Sequence, residues 1–473
     1  MAGAPAAVIV WFRHDLRLDD HPALAYAAAT GRPVVPVFVL TDEDGPWAPG
    51  GAARWWLHHA LAALERDLAG LGLRLVLRRG SEGRTLRALV DETGARTVCF
   101  NRRWEPDGRA RDQAVTAALR ARRVEVRDFP ASLLWEPDAV LNRQGGPYQV
   151  FTPFWKRLLG ETAPARPLPA PARAAAPDAW PKSVPAAALG LLPRPDWAGG
   201  LRTAWRPGTA GAAEHWQRFR SGALADYEHG RDRPDRVGTS RLSPHLHFGE
   251  ISPRAVWHDL AAADGGNEVR RQLVWREFAH HLLHHFPHTA TSPLDERFER
   301  FPWVGGPQRL RAWQRGRTGY PIVDAGLREL WTTGWMHNRV RMVAASFLVK
   351  DLLVPWQEGA AWFWDTLVDA DLANNTMGWQ WTAGCGADAS PFFRVFNPAL
   401  QGRRFDPDGA YVRRWVPELA GLPDRWLHAP ATAPPLVLAA AGVTLGRTYP
   451  APIVDHAEAR ARTLAAWDRL KGG

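Results

Sequence analysis

Four short stretches in the second half of the chain crowd polar, cationic and aromatic groups at spacings that chemistry can use. Thr239-Ser240-Arg241-Leu242-Ser243-Pro244 sets hydroxyls and an arginine ahead of a helix start. Hydroxyls, backbone N–H groups and a cation can cradle a phosphate at such a place. Ser243-Pro244 also reads as an ordinary N-cap and first-turn pair, and spacing alone leaves both readings open. Gln272-Leu273-Val274-Trp275-Arg276-Glu277-Phe278 puts Gln272, Trp275 and Arg276 on neighbouring helix faces at i, i+3 and i+4. A paired core arginine and a ligand-binding arginine are equally compatible with it. In Gly334–Met342, Asn338, Arg341 and Met342 can share one face. Asp369-Ala370-Asp371 then places two carboxylates at i and i+2, followed by Asn375 and Trp379-Gln380-Trp381. No histidine at ligand spacing completes that pair, so no metal site is expected.

Composition narrows the chemistry. The 473 residues include 25 Trp against 6 Tyr. Tryptophan fills cores, but it is also a large stacking ring that can lose one electron. Lys plus Arg number 59 against 49 Asp plus Glu, a net charge of +10. A basic protein of this size suits a polyanion, although Arg in an Ala/Gly/Pro-rich chain also follows from a GC-rich genome. Cys99 and Cys385 are the only cysteines, too few for a disulfide framework or a thiolate cluster. No apolar run reaches membrane-spanning length, and Asp15, Arg17, Asp19 and Asp20 interrupt the first one too early for a signal peptide. A cytoplasmic protein without membrane contact is the expectation.

The elements that must position these groups fall into two classes. Apolar runs at Val8–Phe12, Val34–Leu40, Leu73–Leu77, Val98–Phe100 and Val124–Phe129 read as buried strands. Helical periodicity separates them from Pro22, over Trp55–Leu68, near Thr85–Thr93 and over Arg109–Arg122. This alternation predicts a doubly wound parallel sheet over residues 1–133. It carries no G-x-G-x-x-G after its first strand and no phosphate-loop fingerprint. Residues 134–205 turn rich in Pro, Ala and Gly, which predicts a long interdomain linker wrapped over the surface. Residues 206–473 read as an all-helical domain, with Leu273, Val274, Phe278 and Leu282 on one apolar face and Val340, Val343, Ala344, Phe347 and Leu348 on another.

Taken in order, these motifs resemble the photolyase/cryptochrome family, and the resemblance spans essentially the whole chain. Trp11-Phe12-Arg13-His14-Asp15-Leu16-Arg17 is similar to the opening of its antenna domain. Thr239–Ser243, Trp275–Phe278, Thr318–Ala325, Gly334–Met342 and the Asn-Asn to Trp-Gln-Trp stretch are similar to its flavin domain. The resemblance is closest to bacterial photolyases that act on cyclobutane dimers.

The resemblance implies a helical domain that binds FAD, active as the reduced anion, with UV-damaged DNA as the partner and a monomeric state. It implies flavin contacts at Tyr227, Thr239, Ser240, Arg241, Leu242, Ser243, Arg276, Asn338, Arg341, Asp369, Ala370, Asp371 and Asn375. Hydroxyls, amides and a cation suit a pyrophosphate, and a carboxylate near the ring system can tune its electronics. Asn375 matches the residue facing flavin N5, where photolyases favour Asn. An electron-transfer chain is implied at Trp379, Trp356 and Trp303. Contacts to the lesion and DNA are implied at Arg231, Gln272, Trp275, Asn338, Arg339, Met342, Trp381 and Arg394, with the indoles as apolar walls for a flipped-out base pair and the arginines on phosphates.

Two alternatives are weighed against dimer repair. A blue-light cryptochrome usually adds a C-terminal extension, whereas little beyond Ala451–Gly473 follows the last family-like stretch here. A (6-4) photolyase carries histidines where this chain has Asn338 and Met342. Gln272 departs from the pattern, because dimer-specific members usually have Glu there. The Asn-Glu pair of one folate-binding branch would fall at Asp107-Gly108, and neither residue matches. Methenyltetrahydrofolate, a deazaflavin or no antenna chromophore all stay open.

Overall fold

The computed structural model describes residues 6–472 except 42–46, 162, 262, 264 and 390–392. Its compact units are Met1–Tyr148, Thr152–Arg218 and Ser240–His285 on one side, and Gln149–Phe151, Phe219–Thr239 and Phe286–Gly473 on the other. Compactness therefore groups Ser240–His285 with the sheet, while the division at 205/206 groups it with the helical part. We retain the latter as a proposal for how the chain is organised.

In the first unit, five parallel strands run β1 Val8–Phe12, β2 Val34–Leu40, β3 Val76–Arg79, β4 Thr97–Asn101 and β5 Glu125–Phe129. Their order is β3-β2-β1-β4-β5, with Val8 opposite both Val34 and Thr97. β1 and β4 are buried along their whole length. That burial on two faces is why they read as unbroken apolar runs rather than alternating ones. Between the strands lie α1 Pro22–Ala29, α2 Gly51–Ala69, α3 Glu82–Thr93 and α4 Pro106–Arg120. β3 starts three residues later than its apolar run, because the Leu73 N–H closes the end of α2 on the Leu68 carbonyl. α4 starts earlier than its apolar periodicity, because Pro106 seeds the first turn.

The Pro/Ala-rich connector is tied down at several points. Val34 N–H donates to Ala175 O and Val184 N–H donates to Leu77 O, the Ser183 hydroxyl accepts from Leu77 N–H, and Trp180 packs on the sheet core. Its polar backbone thus covers the edge strand β3, which would otherwise present unpaired groups. The long helix α5 Gly266–His285 buries Leu273, Val274, Phe278 and Leu282, the face its periodicity predicts.

The second unit is helical around one core that includes Trp313, Val323, Phe347, Trp356, Phe363 and Trp379. Its central helices are α6 Pro321–Thr333, α7 Asn338–Ser346, α8 Trp356–Thr366 and α9 Leu372–Ala383, and α10 His456–Gly472 comes last. α7 runs on into a π-helical turn, Phe347–Asp351. The wider turn still buries Phe347 and Leu348 and also draws in Lys350, whose ammonium donates to Ala383 O at 2.6 Å, at the end of α9. No helix among the described residues is long and apolar enough to cross a membrane.

Candidate functional site

In the second unit the acidic and basic motifs meet. Arg341 on α7 donates through one terminal nitrogen to both oxygens of Asp369, at 2.8 and 3.1 Å. Its Nε donates to Met336 O at 2.7 Å. Two fixed partners set the guanidinium plane. Ala370 is buried beside them. Asp371 caps α9, accepting from Asn374 N–H at 2.9 Å and from the Asn374 amide at 2.7 Å, so that carboxylate already serves the helix start. One turn on, the Asn375 amide donates to Ala360 O at 3.1 Å. That bond fixes the orientation of the amide, and it leaves Oδ1 buried with no hydrogen-bond partner among the described residues. An orphaned buried acceptor of this kind calls for a donor from outside the protein.

Trp379 and Trp356 are both buried, and Trp303 is partly buried against the same core. Trp379 meets Phe363 edge-on at 5.0 Å and Trp313 at 6.1 Å. Between the indoles of α9, Gln380 clamps a loop, donating to Thr289 O and Ser292 O and accepting from Leu294 N–H.

α7 also presents a polar strip. The Asn338 amide and the Arg339 guanidinium both point at Met342 Sδ, at 4.0 and 3.8 Å. A thioether is a weak acceptor, so these donors keep most of their capacity. Arg339 is further held by Asp232 at 2.7 Å and lies 4.5 Å over the Phe405 ring. The loop bearing Asp232 is cinched by Gly238, where a Cβ would collide with the backbone of Gly230. Just before it, Arg231 lies 5.7 Å over the ring of buried Tyr227, and Thr239 follows half-buried. Arg394 is exposed and lies 5.5 Å over Trp381.

The first unit holds the remaining residues. Ser240 Oγ accepts from Leu242 N–H at 3.4 Å. Arg241 sits at φ +52°, a conformation uncommon for a residue with a side chain. Ser243 opens a short turn of helix with its side chain exposed, while Leu242 is buried. On α5, Gln272 makes one long bond to Glu268 O, 3.5 Å, and Trp275 stands edge-on to Phe278 at 5.9 Å. Arg276 donates to Ser132 O at 2.9 Å and contacts Glu277, so its guanidinium anchors the chain just ahead of the connector. Burial raises the Glu277 carboxyl above its ordinary range, against the pull of Arg276.

The opening motif is an internal hub. Arg13 bridges Asp112 and Asn101 O and stacks on Trp11 at 4.2 Å. Asp15 accepts from Arg13 N–H and Asn101 and pairs with His21. Those interactions hold its carboxyl well below the usual range despite its burial. Arg17 donates to four backbone carbonyls, those of Asp19, Asp20, Ala131 and Gly249.

Residues 8–172 match the family model described as DNA photolyase, and residues 269–469 match the FAD binding domain of DNA photolyase. The chain is 52% identical over 473 residues to a deoxyribodipyrimidine photo-lyase of Agrobacterium fabrum, covering 98% of each protein. This chain belongs to the DNA photolyase/cryptochrome family. Cryptochrome-1 of Arabidopsis thaliana is 41% identical, covering 99% of this chain and 71% of that protein. The crystal structure of a bacterial class III photolyase from Agrobacterium tumefaciens superposes with a TM-score of 0.97 at 51% identity, covering 100% of this chain and 99% of the other.

Within this photolyase fold, sequence reasoning passed over several residues that act through others. Asp232 and Phe405 hold Arg339, and Gln380 holds the helix of the tryptophans. A polar residue wedged between two indoles was the available signal for Gln380. Asp232 and Phe405 gave none, because their partner lies far off in sequence. Asp138, His284 and His285 bring three ligand-type atoms within 4.8 Å. Arg109 lies 3.1 Å from His284 and pairs with Asp138, and a fixed cation opposes a metal ion at that place.

Proposed function

We propose that this protein is a flavin-dependent DNA photolyase that splits cyclobutane pyrimidine dimers in UV-damaged DNA under light. The full-length kinship to a deoxyribodipyrimidine photo-lyase supports the reaction class. The observation that carries the cofactor reading is Asn375. Its amide is fixed by Ala360 O, and its buried Oδ1 awaits a donor, such as the N5–H of a reduced flavin. Arg341 and Asp369 would hold the ring system, while Tyr227, Thr239, Ser240 and Ser243 offer hydroxyls that suit its polar chain. Bound and reduced, FAD supplies a light-excited electron for the lesion.

The chain's own residues select and hold the substrate. Trp275 and Trp381 offer flat apolar faces for a flipped-out dimer, whose disrupted pairing already lowers the cost of extrusion. Arg231, Arg339 and Arg394 suit phosphates. Asn338 and Arg339 can exchange the thioether of Met342 for the stronger oxygen acceptors of a pyrimidine or a phosphate. Trp379, Trp356 and Trp303 would return electrons to an oxidised flavin. We further propose a monomer acting in the cytoplasm, with a methenyltetrahydrofolate or deazaflavin antenna in the α/β part.

Illuminating purified protein with dimer-containing DNA and measuring restored thymine tests the reaction. Light-dependent restoration is expected. Repair of (6-4) lesions alone, or of neither lesion, would overturn the assignment. Mass spectrometry of extracted chromophores tests the antenna, and flavin alone would remove that part.

A further inference from the structure

Helix α8 carries Trp356, Gly359 and Phe363 at i, i+3 and i+7, along one side of the helix. The α9 indole of Trp379 rests on that side. A Cβ built on Gly359 would lie 2.5 Å from Trp379 Cζ3 and closer still to Cη2, with Leu348 Cδ2 at 2.7 Å. Gly359 has no positive φ, so the helix does not need glycine for its backbone. Glycine in a helix interior costs about 1 kcal/mol relative to alanine, and here the missing side chain leaves a notch filled by the indole edge. Trp379 is held in that notch by neighbouring rings, with Phe363 5.0 Å away edge-on and Trp313 6.1 Å away. Both Trp379 and Trp313 are buried.

We infer that Gly359 is a positioning residue for electron transfer, whose notch seats Trp379 one helical turn from Trp356. The inference rests on the tryptophan relay proposed above. In that relay Trp379 gives one electron to light-excited oxidised flavin and regains one from Trp356. Trp356 is restored by Trp303, and Trp303 by a thiol reductant in solution. Each step moves one electron between neighbours, so it depends on how closely the rings approach. Overlap between donor and acceptor rings falls steeply with separation, so even a small displacement of the indole slows the step. Any side chain at position 359 pushes the first indole away from the second.

The test compares Gly359→Ala, Trp379→Phe, the double variant and Trp356→Phe, each with bound flavin. Two yields are measured with dithiothreitol present: photoreduction of oxidised flavin, and repair after chemical reduction. In Gly359→Ala the ratio of photoreduction to repair is expected to fall several-fold. An unchanged ratio overturns the inference, as does a parallel loss of both yields with loss of flavin, which would make Gly359 a residue for cofactor retention. Should Gly359→Ala fold poorly, the double variant decides. Phenylalanine removes the colliding edge, so the double variant should be more stable to denaturant than Gly359→Ala. Equal or lower stability means Trp379 is not what the notch accommodates. Trp356→Phe separates this inference from its premise, because normal photoreduction there refutes the relay whatever Gly359→Ala does.

Discussion

Gln272 and Asp369 show how far a single side chain can be argued. Among the described residues the Gln272 amide makes one long bond, to Glu268 O, which leaves its donors available to a substrate carbonyl. A glutamic acid at this position would donate only while protonated. Glu268 sits one turn before it, and a second carboxylate at i+4 would raise the pKa of both and favour the neutral form. Gln272→Glu should therefore keep binding, add a transferable proton and raise repair per absorbed photon at matched flavin reduction and saturating DNA. A lower yield would mean that the site is built around the amide. Asp369 is the partner of a half-buried arginine, and its own side chain is 3% exposed. Asp369→Ala leaves Arg341 without its anion, which should lower stability by about 3 kcal/mol and release flavin. Asp369→Asn, which keeps one acceptor, should retain more flavin, as the absorbance ratio of flavin to protein will read directly.

At the scale of elements, legibility in the sequence followed the distance over which each cause acts. β1, β2 and the buried face of α5 were plain in local hydrophobic patterning. The onset of β3 was not, since Leu73 is bound to the end of the preceding helix. Ser243-Pro244 read as a cap pair or a phosphate cradle, and the cap reading fails: the helical turn starts at Ser243 itself behind Leu242, with no side-chain cap bond. The carboxylates at 369 and 371 looked alike, yet one binds Arg341 and the other caps a helix, a difference set by tertiary contacts. Histidine-rich α5 offers a test at this scale. The neutral His281 ring accepts from Tyr148 N–H at 3.0 Å and packs near Phe154 at 5.1 Å and Phe278 at 6.5 Å. Burial there pushes its pKa down from 6.5 to about 3, with His285 and His284 adding to the shift. The folded state then binds fewer protons than the unfolded state, so stability rises with pH across this window. The contribution is complete above pH 6.5 and is lost toward pH 3, at up to about 1.4 kcal/mol per unit. Urea denaturation between pH 7.5 and 5 should show this slope in the parent protein, and a shallower one in His281→Gln. Equal slopes would place the sensitivity elsewhere.

At the scale of the whole molecule, the net charge of +10 becomes informative only with the positions of its arginines. Many cations are neutralised internally. Arg13 faces Asp112, Arg254 is bonded to Asp20, Arg328 to Glu418 and Arg341 to Asp369. These guanidiniums stiffen the fold and attract no distant polyanion. Arg394 differs, being exposed over an indole, and Arg339 is held by Asp232 through one nitrogen and directs another at a weakly accepting sulfur. Phosphate binding to such groups releases counterions from DNA, so log affinity falls linearly with log salt, by about 0.9 per phosphate neutralised on a duplex. Arg394→Gln should therefore reduce the slope by about that amount and weaken damaged and undamaged duplexes alike, because a phosphate contact carries no information about the lesion. Trp381→Ala should act in the opposite sense, leaving the slope unchanged while discrimination between damaged and undamaged DNA collapses. Salt titrations of both variants on matched duplexes, with and without a dimer, read both quantities at once. If Arg394→Gln abolished lesion preference at constant slope, the arginine would be a reader of the lesion rather than a phosphate contact. The division between positioning cations and recognising indoles would then have to be redrawn.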